Sequence, residues 1–178
     1  MPVDQALHSD LIVIWGNNVT VGNVHFTKII KSARSKGAKV VVIDPKRIKI
    51  AEQSDLLLRL QPGTDVVLAL AVAAELERRG KLDMNFITRF TVGFEQYMIE
   101  ARKYTVNEVV RICKLTEQEF QMFVQLLIEA KNVATSIGNA IERGRSGGSG
   151  LRAAMALQSL TGNHGRRGTG VISKQGLA

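Results

Sequence analysis

The chain has 178 residues, of which 45% are hydrophobic and 22% are charged, and this is the composition of a folded globular domain. Intrinsically disordered and collagen-like architectures are excluded, and the length suffices to bury the core of one domain with a small subdomain. The single cysteine, Cys113, excludes an internal disulfide framework and any metal or iron–sulfur site built from several cysteines of this chain.

The net charge of +8 is unevenly distributed along the sequence. From Arg143 onward there are six basic residues and no acidic residue, so the first 142 residues, with eighteen basic and sixteen acidic side chains, carry only +2. Nine of the sixteen glycines lie between Gly138 and Gly170. Such a segment suits a phosphate-bearing ligand or an acidic partner, and a solvated basic tail is the alternative. Because glycine raises the entropic cost of fixing a backbone, we expect fast amide exchange at residues 144–150 and beyond residue 162.

The longest apolar run, residues 66–74, has nine residues. It is about half as long as a membrane span requires, and it predicts a buried helix. The first ten residues contain neither a basic n-region nor an apolar h-region, so no secretory signal is predicted. The compartment, cytoplasmic or periplasmic, stays open.

The first half of the chain alternates short apolar runs with helix-periodic stretches. Strands are predicted at residues 11–15, 40–43 and 55–60, and a helix between the first two carries apolar residues at 26, 29, 30 and 33. Thr64 is predicted to cap a second helix that runs to residues 78–79. Right-handed crossovers then give an α/β fold, with a Rossmann-like, mostly parallel sheet and helices on both faces.

The middle of the chain is predicted to be helical. Thr105 with Glu108, and Thr116 with Glu119, form two capping boxes, and the apolar stripe from residue 120 to 128 is typical of core. Cys113 is expected to be a small core residue. A fourth strand at residues 132–137 and a helix at 151–160 follow. The predicted organisation is one domain over residues 1–170 and a disordered tail over 171–178.

Several common chemistries are not supported by the sequence. Residues 144–148 match the pattern G-x-S-x-G, but no strand runs directly into the serine and no acidic residue follows it. A P-loop motif is absent, and His8, His25 and His164 lack the spacing of a zinc site. The dinucleotide fingerprint G-x-G-x-x-G is also absent.

What remains is the carboxyl edge of the sheet, where open parallel sheets bind their ligands. The groups that follow the four predicted strands can accept hydrogen bonds from ribose and base, neutralise phosphate, or hold an anion at a helix N-terminus. Asp44, after the second strand, can accept hydrogen bonds from ribose hydroxyls, and Lys46 and Arg47 beside it can neutralise phosphate.

Six segments in this order and spacing resemble the molybdopterin-guanine-dinucleotide-binding region of the molybdopterin oxidoreductases. That family, the dimethyl sulfoxide reductase superfamily, includes formate dehydrogenases and respiratory nitrate reductases. The resemblance extends from Ser9 to Gly170. It rests on the segments SDLIVIWGNN, GAKVVVIDPKR, AEQSDLLLRLQPGTDVVLALA, DMNFITRFTVGFEQY, IGNAIERGRSG and LTGNHGRRGTG.

The resemblance implies a set of cofactor-binding residues at the four strand ends. The first loop would lie along the dinucleotide, the second turn would meet the guanosine ribose and phosphate, the third would meet the guanine, and the fourth would line the pterin side. These residues are Trp15, Gly16, Asn17, Asn18, Asp44, Pro45, Lys46, Arg47, Gly63, Thr64, Asp65, Ile137, Gly138 and Asn139.

The guanine that the resemblance implies would be recognised by Asp65. Its carboxylate could accept two parallel hydrogen bonds from guanine N1–H and the amino group, whereas Asp44 is better placed for ribose hydroxyls. The alternative for Asp65 is a favourable place in the first turn of its helix.

The resemblance further implies a molybdenum or tungsten bis-molybdopterin-guanine-dinucleotide enzyme for two-electron redox or oxygen-atom transfer. The chain resembles an excised piece of such an enzyme, so no catalytic or metal-binding residue is assigned and the piece alone is expected to be inactive. A 4Fe–4S cluster is expected only in a preceding region, and the partners would be the remaining domains and electron-transfer subunits. The competing interpretation is a non-enzymatic nucleotide-binding module whose basic tail binds a nucleic acid or an acidic partner.

Overall fold

The computed structural model describes residues 1–144 and 146–173. Short 3-10 helices at Val3–His8 and Lys49–Gln53 accompany the regular elements. The strands are β1 (Leu11–Trp15), β2 (Lys39–Ile43), β3 (Leu56–Leu58), β4 (Val133–Ile137) and β5 (Gly170–Ser173). The helices are α1 (Val19–Gly22), α2 (Val24–Ser35), α3 (Asp65–Arg78), α4 (Met84–Phe90), α5 (Phe94–Ala101), α6 (Val106–Cys113), α7 (Glu117–Glu129), α8 (Asn139–Glu142) and α9 (Gly147–Leu160).

One parallel sheet organises the described residues, with the strand order β3-β2-β1-β4-β5. β1 lies at the centre, and its residue Ile14 is in register with Val42 of β2 and with Ser136 of β4. The chain moves outward from β1 to β3 on one side and returns to add β4 and β5 on the other. The strand order therefore reverses between β1 and β4, and a reversal of this kind opens a crevice at the carboxyl ends of the two strands.

Each face of the sheet is covered by its own apolar core. On one face, the nine-residue apolar run of α3 packs against α9 and the inward residues of β1. The buried Phe120 and Phe123 of α7 belong to the same core. On the other face, Phe26 and Ile30 of α2 pack against Ile12 and Ile14. Residues of β1 are buried on both sides, which is why the strand is apolar throughout rather than alternating. The predicted α/β class is confirmed.

Details of the helical middle agree with the sequence pattern, with one exception. Both capping boxes are present, and Cys113 is fully buried, where burial raises the pKa of its thiol to about 11. Thr64 stands at the N-cap position of α3, as predicted. Its side chain makes no capping hydrogen bond, however, and its hydroxyl donates to the carbonyl of Gln61 at 2.7 Å.

The C-terminal segment differs from the sequence prediction. Residues 170–173 form β5, the fifth strand, although 171–178 was expected to be a disordered tail; residues 174–178 lie outside the described residues. β5 pairs with β4 from Ala134 to Ile137. Likewise, residues 147–150 begin α9 rather than a flexible loop. The domain boundary at residue 170 stays a prediction.

The segment between α9 and β5 is fastened to the amino ends of the strands. The Asn163 side-chain oxygen accepts a hydrogen bond from the N–H of Val133 at 2.9 Å, and the Ser9 hydroxyl donates to the carbonyl of Gly168 at 2.7 Å. Gly168 is required there, because a Cβ would overlap the backbone of His8. The expected fast exchange beyond residue 162 therefore conflicts with the packing over 163–173. The loop over 163–169 lies at the amino ends of the strands, opposite the carboxyl edge.

Among the described residues, no helix has both the length and the apolar character that crossing a bilayer requires.

We predict that Asn163→Ala lowers the free energy of unfolding by about 1–3 kcal/mol, because it leaves the buried N–H of Val133 without its acceptor. Urea denaturation measures the loss, and hydrogen exchange should show faster exchange at Val133. Asn107→Ala, on the exposed surface of α6, is the matched control and should stay within about 0.5 kcal/mol of the parent chain. Equal stability of the two variants would contradict the assigned role of the segment.

Candidate functional site

A cleft opens where β1, β2, β3 and β4 end, at the crevice that the strand order creates. Two carboxylates, those of Asp44 and Asp65, lie in its wall, and no lysine or arginine lines it among the described residues. The cleft therefore favours groups that donate hydrogen bonds. It is lined by Gly16, Ile43, Asp44, Pro45, Leu60, Gln61, Pro62, Gly63, Asp65, Ala140 and Ile141.

Asp44 is the residue immediately after β2, and it is only 9% exposed. Its Oδ1 accepts a hydrogen bond from the N–H of Lys46 at 2.8 Å, which fixes the turn as Pro45 leaves the strand. Burial raises the pKa of Asp44, and the nearby charge of Asp65 raises it further. The hydrogen bond from the Lys46 N–H and the positive charge of the Lys46 side chain act in the opposite direction. A carboxylate that is costly to ionise in this cleft is a group that gains from a ligand's hydroxyl donors.

Asp65 is the first residue of α3, and a buried side chain from the central strand holds it. The indole Nε1–H of Trp15 donates to Asp65 Oδ1 at 2.7 Å. On the opposite side, a Cβ placed on Gly150 of α9 would lie 3.6 Å from Asp65 Cβ, so the helix backbone passes close by. The carboxylate is thus positioned by three elements, β1, α3 and α9.

The loops after β1 and β4 touch at two glycines. The N–H of Gly138 donates to the carbonyl of Trp15 at 2.9 Å, and a Cβ on Gly138 would overlap the carbonyl oxygen of Gly16. Gly16 itself adopts φ +57°, the left-handed region that favours glycine. Asn17, in the loop after β1, also contacts β4, because its side-chain amide donates to the hydroxyl of Ser136 at 2.8 Å.

A second cleft lies on the other side of Gly16 and shares Gly16 and Ala140 with the first. Its character is different, because three side-chain amides and one guanidinium surround it. Its lining residues are Gly16, Asn17, Asn18, Val21, Gly22, Asn139, Ala140 and Arg143. One cleft thus offers two anions, and its neighbour offers a cation with amide donors.

The structure brings eight of the fourteen predicted site residues to these clefts. They are Gly16, Asn17, Asn18, Asp44, Pro45, Gly63, Asp65 and Asn139. The other six line neither cleft. Trp15 and Ile137 are buried in the core, Gly138 lies beneath Gly16, Thr64 bonds to Gln61, and Lys46 and Arg47 are exposed in the turn after Asp44.

Several lining residues were missed by the sequence analysis. Arg143 is the clearest case, since the sequence marked it only as the start of a basic segment, whereas it faces the second cleft one turn after β4. The available signal was its place in the sequence, directly after the short helix α8 that follows the end of β4 and begins at Asn139. Leu60 and Ile141 contribute apolar wall to the first cleft, and nothing in their local pattern distinguishes them from core.

Comparison with known proteins identifies the family. A family model described as molybdopterin oxidoreductase matches residues 3–175. The chain belongs to the molybdopterin oxidoreductase family. The resemblance read from the six sequence segments is therefore confirmed, although the roles of individual site residues are not tested by it.

The relatives include oxidoreductases of the formate dehydrogenase type. A probable oxidoreductase of Bacillus subtilis, YoaE, is 29% identical over 169 residues, which are 95% of this chain and 25% of that protein. Formate dehydrogenase H of Escherichia coli is 26% identical over 174 residues, or 98% of this chain and 24% of that protein. The chain thus spans about a quarter of the length of these relatives.

A solved structure has the same fold. Acetylene hydratase from Pelobacter acetylenicus superposes with a TM-score of 0.83 at 24% identity, over 94% of this chain and 24% of that one. At this identity the likeness concerns the architecture alone.

We predict that Asp44→Asn stabilises the ligand-free chain at pH 7. Because its pKa is raised on folding, ionised Asp44 costs folding free energy, and this cost appears as the pH rises above the ordinary aspartate value of about 3.9. Thermal denaturation should show a higher Tm for the variant at pH 7, and the difference should shrink as the pH falls toward about 4.

Asp55→Asn is the matched control of opposite sign. Burial alone would raise the pKa of Asp55, but hydrogen bonds from Val40 N–H and Lys39, with the charges of Lys39 and Arg34, lower it overall. Its ionised form therefore stabilises the fold above the ordinary pKa, and this contribution is lost as the pH falls. Asp55→Asn should lower Tm at pH 7, and a shift of the same sign for both variants would contradict this assignment.

Proposed function

We propose that this chain holds the guanosine diphosphate end of a molybdopterin guanine dinucleotide within an oxidoreductase. The observation that carries the proposal is the pair of adjoining clefts of opposite polarity at the carboxyl edge, which share Gly16 and Ala140. A guanosine diphosphate has the complementary arrangement, with donor groups on base and ribose and negative charge on the phosphates.

Asp65 would recognise the guanine. Guanine presents N1–H and an amino group side by side, and a carboxylate accepts from both, whereas adenine offers no such pair of donors. Charge-assisted hydrogen bonds of this kind contribute roughly 1.5–3 kcal/mol. Gly63, at φ +83° in the turn before α3, has open space beside it and lets a base approach the backbone.

Asp44 would accept hydrogen bonds from the ribose hydroxyls. It lies in the same cleft as Asp65 but at the end of the neighbouring strand β2, and its Oδ1 is already engaged by Lys46 N–H. Every nucleotide has a ribose, so this contact adds affinity without selecting the base.

The second cleft would take the diphosphate. Arg143 supplies the charge, and the amides of Asn17, Asn18 and Asn139 can donate to phosphate oxygens. The exposed Lys46 and Arg47 add positive potential at the outer edge of the first cleft. Gly138 contributes indirectly, because the absence of a side chain there permits the close approach of the two loops.

The residues present fit the dinucleotide part of the cofactor, because the donor and acceptor set matches a nucleotide. When bound, the cofactor supplies two-electron redox or oxygen-atom transfer chemistry at molybdenum or tungsten. Among the residues that the structure describes, no three His, Cys, Asp or Glu side chains cluster closely enough to hold a metal ion. The metal's protein ligand, an iron–sulfur cluster and the electron-transfer partners would belong to other regions or subunits, and the chain alone would have no turnover.

The alternative, a non-enzymatic nucleotide-binding module with a basic tail for nucleic acid, has less support. Within the described part of the basic segment, the Arg166 guanidinium donates to the carbonyl of Lys131 at 3.0 Å and Arg143 faces the second cleft. These two cations therefore have local roles. Bound ligand separates the two functions, since oxidation of a pterin dinucleotide yields a fluorescent product and oxidation of a simple nucleotide does not.

We predict that Asp65→Asn lowers the preference for guanosine diphosphate over adenosine diphosphate by about tenfold or more. In this variant the amide oxygen would accept from Trp15 in place of Oδ1, so the amide NH₂ group would face the donors of guanine. Asp44→Asn should weaken both nucleotides alike, by about threefold to tenfold. Equilibrium titration of the 178-residue chain with each nucleotide measures both ratios.

Asp55→Asn serves as the control, because Asp55 lies at the amino end of the sheet beside Lys39 and should leave both affinities unchanged. An unchanged base preference in Asp65→Asn would refute the guanine assignment while leaving the family membership intact.

A further inference from the structure

We propose that Trp15 is a positioning residue that sets the guanine preference through Asp65, an inference that rests on the proposed function. Trp15 is the chain's single tryptophan and is only 1% exposed, so its ring touches no ligand. Its only polar atom on the side chain, Nε1, donates to Asp65 Oδ1 at 2.7 Å. One hydrogen bond thus connects Trp15, in the core at the end of the central strand, to Asp65 in the cleft.

This hydrogen bond fixes the carboxylate that would read the base. Asp65 is half-buried at the first position of α3, where a free aspartate side chain could turn back to the N–H groups of its own helix. The indole holds Oδ1 instead, and among the described residues Oδ2 accepts no hydrogen bond. Since a carboxylate oxygen has two acceptor sites, Oδ1 can still take part in a paired contact with guanine.

The indole is itself held rigidly. Its ring meets Phe123 of α7 edge to face, with centroids 6.4 Å apart and an interplanar angle of 80°. Its backbone carbonyl accepts from Gly138, and it is in register with Ile43 and Ile137 on the flanking strands. A buried aromatic ring with neighbours on every side has one rotamer, so the donor direction is fixed before any ligand arrives.

Two elements besides α3 lie next to Asp65. Trp15 of β1 donates to its Oδ1, and the backbone of α9 lies near its Cβ, since a Cβ on Gly150 would be 3.6 Å from that atom. A carboxylate that the indole already holds loses little rotamer freedom when a base binds. Preorganisation of this kind favours the ligand that matches the fixed geometry over one that does not.

A double-mutant cycle tests the inference. The ratio of affinities for guanosine and adenosine diphosphate is measured for the parent chain, Trp15→Phe, Asp65→Asn and the double variant. Trp15→Phe keeps an aromatic ring in the core and removes the N–H, and it should lower the ratio by about threefold to tenfold. In the double variant the ratio should equal that of Asp65→Asn alone, because Trp15 acts only through the carboxylate.

Phe120→Leu is the matched control. It removes a buried aromatic ring from the same core and lowers stability, but it leaves both the indole N–H and the Phe123 contact in place, so the ratio should change by less than about twofold. If Trp15 had a merely structural role, Trp15→Phe and Phe120→Leu would both lower stability and both leave the base preference unchanged.

A measurement on the parent ring keeps the inference testable if Trp15→Phe fails to fold. One tryptophan gives a single indole N–H resonance, and Asp65→Asn should move it and speed its exchange with solvent. Guanosine diphosphate should move it more than adenosine diphosphate does. A resonance that responds to neither change overturns the inference.

The outcomes separate the inference from the function on which it rests. If Asp65→Asn lowers the ratio and Trp15→Phe does not, Trp15 is no positioning residue and the guanine assignment stands. If neither variant changes the ratio, the guanine assignment fails and this inference fails with it.

Discussion

Backbone contact between the loops that follow β1 and β4 is the constraint on which the ligand edge depends. A Cβ at Gly138 would overlap the Gly16 carbonyl, so these two loops lie as close together as peptide groups allow. Because of this approach, Gly16 borders both clefts, and an acid-lined cleft and an arginine-lined cleft become neighbours. A side chain between the loops would separate the two clefts, which under the proposed function take the base and the phosphates of a single nucleotide.

The central strand links this edge to the core. Trp15 ends β1, packs against Phe123 in the apolar layer and donates to Asp65 in the cleft. Asp44, at the end of the adjacent strand, is buried enough that its pKa is raised. The ionised carboxylate of Asp44 therefore lowers the stability of the fold. Side chains that lower stability in this way are characteristic of binding sites.

Much of the architecture could be predicted from the sequence, because its signals are local. Continuous apolar runs marked β1 and β2, and the spacing of threonine and glutamate marked both capping boxes. The role of Trp15 could not be predicted, since it depends on a partner brought near by folding. For Trp15 that partner lies 50 positions away, and the pattern around the residue is the same for a ring that faces a ligand and a ring that faces the core.

Composition was the least reliable signal, and the C-terminal segment explains why. The nine glycines predicted fast exchange, yet the backbone of His8 occupies the place where Gly168 would carry a side chain, and Asn163 supplies an acceptor to β4. The space beside Gly165 is open, so packing does not require a glycine at that position. Where neighbouring backbone fills that space, glycine permits a tighter contact than any other residue. The loop over 163–169 thus secures the amino ends of the strands, at the edge of the sheet opposite to the two clefts.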